Sequence, residues 1–154
     1  MFGCRLALLP AVLFGIAIAI SPAYADDSNS GKLQGTWFTD VTIRQCGTGT
    51  VLRTFTAIDT FNEGETMIDT TSGASPALRS PGLGKWEKTG SHTYSAVSLA
   101  LLFNPAGVWT GTQKLTHVIE VNGDENVFTS QSENFDTAGT RISSGCATAN
   151  GHRL

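Results

Sequence analysis

The chain has 154 residues, 10 Lys+Arg against 13 Asp+Glu, and a formal net charge of −3 at pH 7. It has no basic patch and no block of like charge. Nucleic acid and anionic membrane surfaces are therefore poor partners, because both need clustered Lys and Arg.

The chain opens with Arg5, the apolar run "LALLPAVLFGIAIAI" and then "SPAYADD", in which Ala23-x-Ala25 offers a small-residue cleavage site. This reads as a signal peptide over 1–25, too short and too close to a cleavage motif for a membrane span. Residues 26–32 then form a flexible N-terminal segment, and 33–154 a single domain. The expected location is the periplasm or the exterior, with no membrane span after cleavage. The 129 residues left carry 9 Lys+Arg against 13 Asp+Glu, enough chain to bury a core unaided. Cys4 leaves with the signal. Cys46 and Cys146 remain, and two cysteines in an exported chain most simply form one disulfide.

After residue 32 every stretch reads with period two. "LQGTWFTDVTI" puts Leu33, Gly35, Trp37, Thr39, Val41 and Ile43 on one face. "VLRTFTAIDTF" sets Arg53, Phe55, Ala57, Asp59 and Phe61 against Thr54, Thr56 and Thr60. "ETMIDTTS" and "LGKWEKTG" are short candidates, and "HTYSAVSLALLF" is long and increasingly apolar. "GVWTGTQKLTHVIEV" sets Trp109, Gln113, Leu115, His117 and Ile119 against Lys114 and Glu120. "NVFTSQSENFDT" groups Val127, Gln131, Glu133 and Phe135, and "TRISSGCAT" is the last stretch. Turn signals such as "CGTG", "NEGE", "NPAG" and "NGDE" separate them. Threonine is abundant and Lys scarce, which suits strands. The expected fold is all-β: an antiparallel up-and-down barrel of about eight strands. The Ser-, Pro- and Gly-rich segment 72–82 is a loop across one mouth.

A Gly35-x-Trp37 motif on the first of eight strands, with Arg141 on the last, resembles the calycin superfamily, the lipocalins and their relatives. The resemblance implies that Trp37 closes one end of the barrel, that Gly35 admits close approach beneath it, and that Arg141 stacks on the indole. A second and third lipocalin signature are missing, as is a helix before the last strand. The chain is also similar to a group of small exported bacterial barrels through Cys46 to Gly49, Thr60 to Thr66 and Arg79 to Trp86, the last reading "RSPGLGKW". That similarity brings no activity with it. If the barrel is regular, Cys46 lies at one mouth and Cys146 late in the last strand, so a bridge needs a shifted register or another strand count.

No metal-ligand spacing, nucleophile elbow or phosphate loop is present, and no cofactor or metal is expected. What remains is polar residues on apolar faces. Asp59, Glu133 and His117 are candidate acid–base groups. Gln113, His117, Phe55, Phe61 and Arg79 are candidate ligand contacts. The expected function is the binding of a small apolar or amphipathic molecule in the barrel. Two alternatives stay open. One is a cofactor-free isomerase or cyclase of the allene oxide cyclase barrel type. The other is an envelope structural protein whose lumen is filled, with Arg53 and Asp59 as a structural pair.

Overall fold

Alternation of apolar with hydroxyl-bearing side chains gives each stretch one wet and one dry face. Antiparallel pairing then buries all the dry faces together only if the sheet closes. The structure, a computed structural model, describes residues 32–154. The signal expected over 1–25, and all of the 26–32 segment but Lys32, lie outside the described residues.

The strands are β1 (Gly35–Arg44), β2 (Val51–Phe61), β3 (Thr66–Thr71), β4 (Gly82–Lys88), β5 (Thr93–Phe103), β6 (Trp109–Asn122), β7 (Glu125–Asp136) and β8 (Arg141–Arg153). They form a closed up-and-down barrel in chain order, every pair antiparallel, with β1 pairing β8. This is the expected eight-stranded fold, consistent with a calycin-like barrel.

One end is packed solid. Leu33, Trp37, Phe61, Met67, Ile119 and Phe128 are at most 2% exposed, and Trp86 packs edge-on against Phe61 at 6.3 Å. Each such side chain contributes roughly 1.5–3 kcal/mol by leaving water. The Trp37 indole donates to the Leu33 carbonyl at 2.9 Å, so its one polar atom is satisfied.

The arginine over that indole is Arg153, not Arg141. Its guanidinium carbon lies 4.2 Å from the ring centroid. It donates to the carbonyls of Gln34 and Lys32 and pairs with Asp124. Gly35 has φ +127°, and a Cβ there would sit 2.6 Å from the Arg153 guanidinium; close approach is therefore a requirement at that position. Arg141 lies at the other end of β8, exposed and paired with Glu133. The misassignment came from ending the last strand at "CAT". It runs on through "ANGHR" to Arg153, which brings the true arginine to Trp37.

The same extension removes the difficulty with the cysteines. Cys146 falls in the first half of β8, paired with Arg44 at the end of β1, so both cysteines reach one mouth. They form the expected disulfide, with Cα atoms 5.1 Å apart.

Candidate functional site

The lumen is filled below and open above. At the Trp37 end the buried apolar core occupies the lumen. Toward the disulfide end a cavity of about 250 Å³ opens between Val41, Ile43, Phe55, Ala57, Leu115 and Ala147, with Gly73 and Ala74 of the loop at its border. Between core and mouth lies a belt of polar side chains.

Asp69 on β3 organises the belt. Its Oδ1 accepts from Arg79 Nη2 at 2.6 Å, and its Oδ2 accepts from the Ser98 hydroxyl at 2.6 Å. Both members of the ion pair have side chains only 5% exposed. A buried pair survives only when its remaining hydrogen-bonding capacity is met; Arg79 meets it by donating from Nε to Gln113 at 2.7 Å and from Nη1 to the Ser80 carbonyl. A backbone bridge from Arg79 to Leu102 of β5 pins the loop that delivers it. Gly82, three residues on, is where a Cβ would collide with the Asp69 carboxylate at 1.8 Å. The "RSPG" motif is thus a device for seating one buried ion pair. The loop thus sends the Arg79 side chain into the barrel.

Asp59 on β2 faces Asp69 directly across the β2–β3 ladder. It is 6% exposed and accepts from the Thr39 hydroxyl at 2.8 Å. Burial pushes its pKa up to about 7; the Thr39 hydrogen bond opposes this, the Asp69 charge reinforces it, and Arg79 opposes it. No cation lies within ion-pair distance of Asp59 among the described residues. Arg53 does not pair with it; it is exposed at the mouth, over the Phe55 ring and bonded to the Gly73 carbonyl.

His117 on β6 is 7% exposed, whereas Glu120 on the opposite face is open to water. Its Nδ1 shares a 2.7 Å hydrogen bond with the Ser130 hydroxyl, and its ring sits edge-on to Phe128 at 5.6 Å. Its Nε2 is buried and has no partner. Burial lowers its pKa to about 4, so the imidazole is neutral near pH 7.

Asp59, His117, Gln113, Arg79 and Phe55 therefore line one cavity. Glu133 does not. The inward residues of β7 are Phe128, Ser130, Ser132 and Asn134, so the face carrying Gln131 and Glu133 is the outer one. Glu133 bonds Arg141 at 2.8 Å and lies 3.7 Å from Lys114; the Arg141 hydrogen bond holds its carboxyl below the usual range. The error arose because Val127 and Phe135 look like a core pair, yet Val127 is 50% exposed. Phe61 also leaves the site, since it belongs to the packed end. Trp109 is 45% exposed because the β5–β6 ladder shifts at Leu102/Phe103, which breaks the alternation that should carry it inward. Asp69 and Ser98 were not identified from the sequence. A signal did exist: Met67, Asp69 and Thr71 alternate with exposed Ile68, so Asp69 shares the face of a buried methionine.

A wider concavity of about 750 Å³ lies outside the barrel near the packed end, beside His92, Glu120 and His152. Most of its lining side chains are exposed to solvent, so it lacks the desolvation that makes a site selective. No protein-family model, curated protein or solved structure matches the chain.

Proposed function

We propose that this protein is an exported barrel that binds one small amphipathic molecule in its lumen. The observation that carries the reading is the asymmetry of the lumen. A dry core closes one end, a polar belt forms a floor, and apolar walls lead from the floor to the other mouth. Such a cavity orients a molecule with one polar end and one apolar end. A cavity of about 250 Å³ limits the occupant to one small molecule. Export is supported by the disulfide, which belongs to an oxidising, extracytoplasmic environment.

The isomerase reading rested on three groups converging on one cavity. Two of them line it and Glu133 is outside, so catalysis would fall to Asp59 and His117 alone. The filled-lumen reading has less support at the mouth end, where the cavity opens and Arg53 does not pair with Asp59.

Native mass spectrometry of the purified protein, before and after incubation with octanol, tests the binding reading. We expect one bound molecule per chain in the wild type. Ala147→Trp, which fills the mouth from the lining wall, should abolish uptake with the fold intact. A wild-type barrel that takes up neither octanol nor any other amphiphile would refute the proposal.

A further inference from the structure

Two carboxylates and one guanidinium share the belt. Asp69 takes Arg79 as its partner, and Asp59 is left with a single neutral donor, the Thr39 hydroxyl. The charged or titratable groups that share this cavity with Asp59 are Asp69 of β3, Arg79 of the loop, His117 of β6 and Arg53 at the mouth. Arg79 is already engaged by Asp69 and Gln113, and His117 is neutral near pH 7. An ionised Asp59 thus leaves the belt one positive charge short, in a cavity walled by Val41, Ile43, Phe55 and Leu115. His117 lines the same cavity, with its Nε2 buried and without a partner. In the tautomer whose Nδ1–H donates to Ser130, that nitrogen is an acceptor.

The geometry points to a cationic head group: the barrel takes an amphipathic amine, whose ammonium finds its counter-ion in Asp59 and whose apolar tail lies along the walls toward the mouth. An ammonium has three donors and no acceptor, matching the Asp59 carboxylate, which lines this cavity without a cationic partner. A carboxylate head would instead meet Asp59 and Asp69, with the Arg79 guanidinium already engaged by Asp69 and Gln113 and Arg53 held at the mouth by the Gly73 carbonyl. An alcohol head would bring Asp59 no cation, so the carboxyl would tend to keep its proton and no charge-assisted bond would form. This inference rests on the ligand-binding reading above and names the ligand class for that same cavity.

Isothermal titration of the intact protein with octylamine, octanol and octanoate separates the outcomes. At pH 8 octylamine should bind about tenfold more tightly than octanol, as a charge-assisted hydrogen bond is stronger than a neutral one, and octanoate should bind weakest. Octylamine should also tighten as pH rises through about 7, the range in which Asp59 ionises, and release protons on binding below that pH. Octanol should tighten in neither way. Asp59→Asn should remove the preference for octylamine while octanol binding persists. The wild-type pH series and proton release test the idea even if that variant does not fold. Octanol or octanoate binding as tightly as octylamine at pH 8, or octylamine binding without proton release at pH 6, would overturn the inference and leave the binding reading standing. Binding of none of the three would overturn both.

Discussion

Asp59 and His117 occupy one buried belt and are shifted in opposite directions, for the same reason. Desolvation penalises whichever form is charged, so it raises an acid and lowers a base. The carboxyl of Asp59 titrates near 7 in the fold against 3.8 unfolded. The native state therefore holds that proton more tightly. Its contribution to stability is full below pH 3.8 and is lost as pH rises to about 7. His117 titrates near 4 in the fold against 6.5 unfolded. Its contribution is full above pH 6.5 and is lost as pH falls to about 4. Over the shared window the two oppose each other, and removing one exposes the other. In His117→Gln the urea midpoint should fall as pH is raised from 4 to 7. In Asp59→Asn it should fall as pH is lowered from 6.5 to 4. Parallel pH profiles in the two variants would show that these groups do not govern the acid response.

At the scale of elements, β8 does two tasks at its two ends. Its early half carries Cys146 to the mouth, and its last residue brings Arg153 over Trp37. Arg153 combines a cation–π contact, worth about 0.5–2 kcal/mol, with charge-assisted bonds to two carbonyls, worth about 1.5–3 kcal/mol for a charged donor. Arg141 makes only an exposed ion pair, worth about 0–1 kcal/mol. Urea denaturation should therefore separate them: Arg153→Ala should cost about 2–4 kcal/mol, and Arg141→Ala less than about 1 kcal/mol. Equal costs would mean that the packed end does not depend on its arginine. The loop before β4 shows the same economy. Its motif places Arg79, and the glycine that follows clears space for the carboxylate Arg79 meets.

For the whole molecule, closure depends on the β1–β8 seam, the pairing with the greatest separation along the chain. Such contacts are slow to form and carry a large loop-closure cost. The disulfide spans 100 residues and sits at the open end of that seam, where no apolar core holds the strands together. In the chain-entropy view a bridge over a loop of this length is worth about 4–5 kcal/mol. Reduction, or the double substitution Cys46→Ser and Cys146→Ser, should lower stability by up to that amount. The mass of the oxidised chain should lie ~2 Da below that of the reduced chain, one hydrogen per sulfur. Two freely alkylated thiols in protein from an oxidising compartment would contradict the bridge.

Local chemistry alone determined the strands, the barrel class, the disulfide and, on β6, the inward set Gln113, Leu115, His117 and Ile119. Period-two alternation, turn residues and cysteine count are properties of neighbouring positions, and they can be read from a string. Asp59, Gln113, His117 and Phe55 were found in this way, since each shares a face with buried apolar neighbours. Which arginine meets Trp37, which face of β7 points inward and where the alternation of β6 breaks were decided only in three dimensions. Each depends on strand length, register or a bulge, and a shift of one residue turns every side chain to the other face. The pairing of Asp69 with Arg79 belongs to the same group. Nothing local joins a short strand to a loop residue ten positions on; the barrel brings them together because burial leaves each charge no better partner than the other.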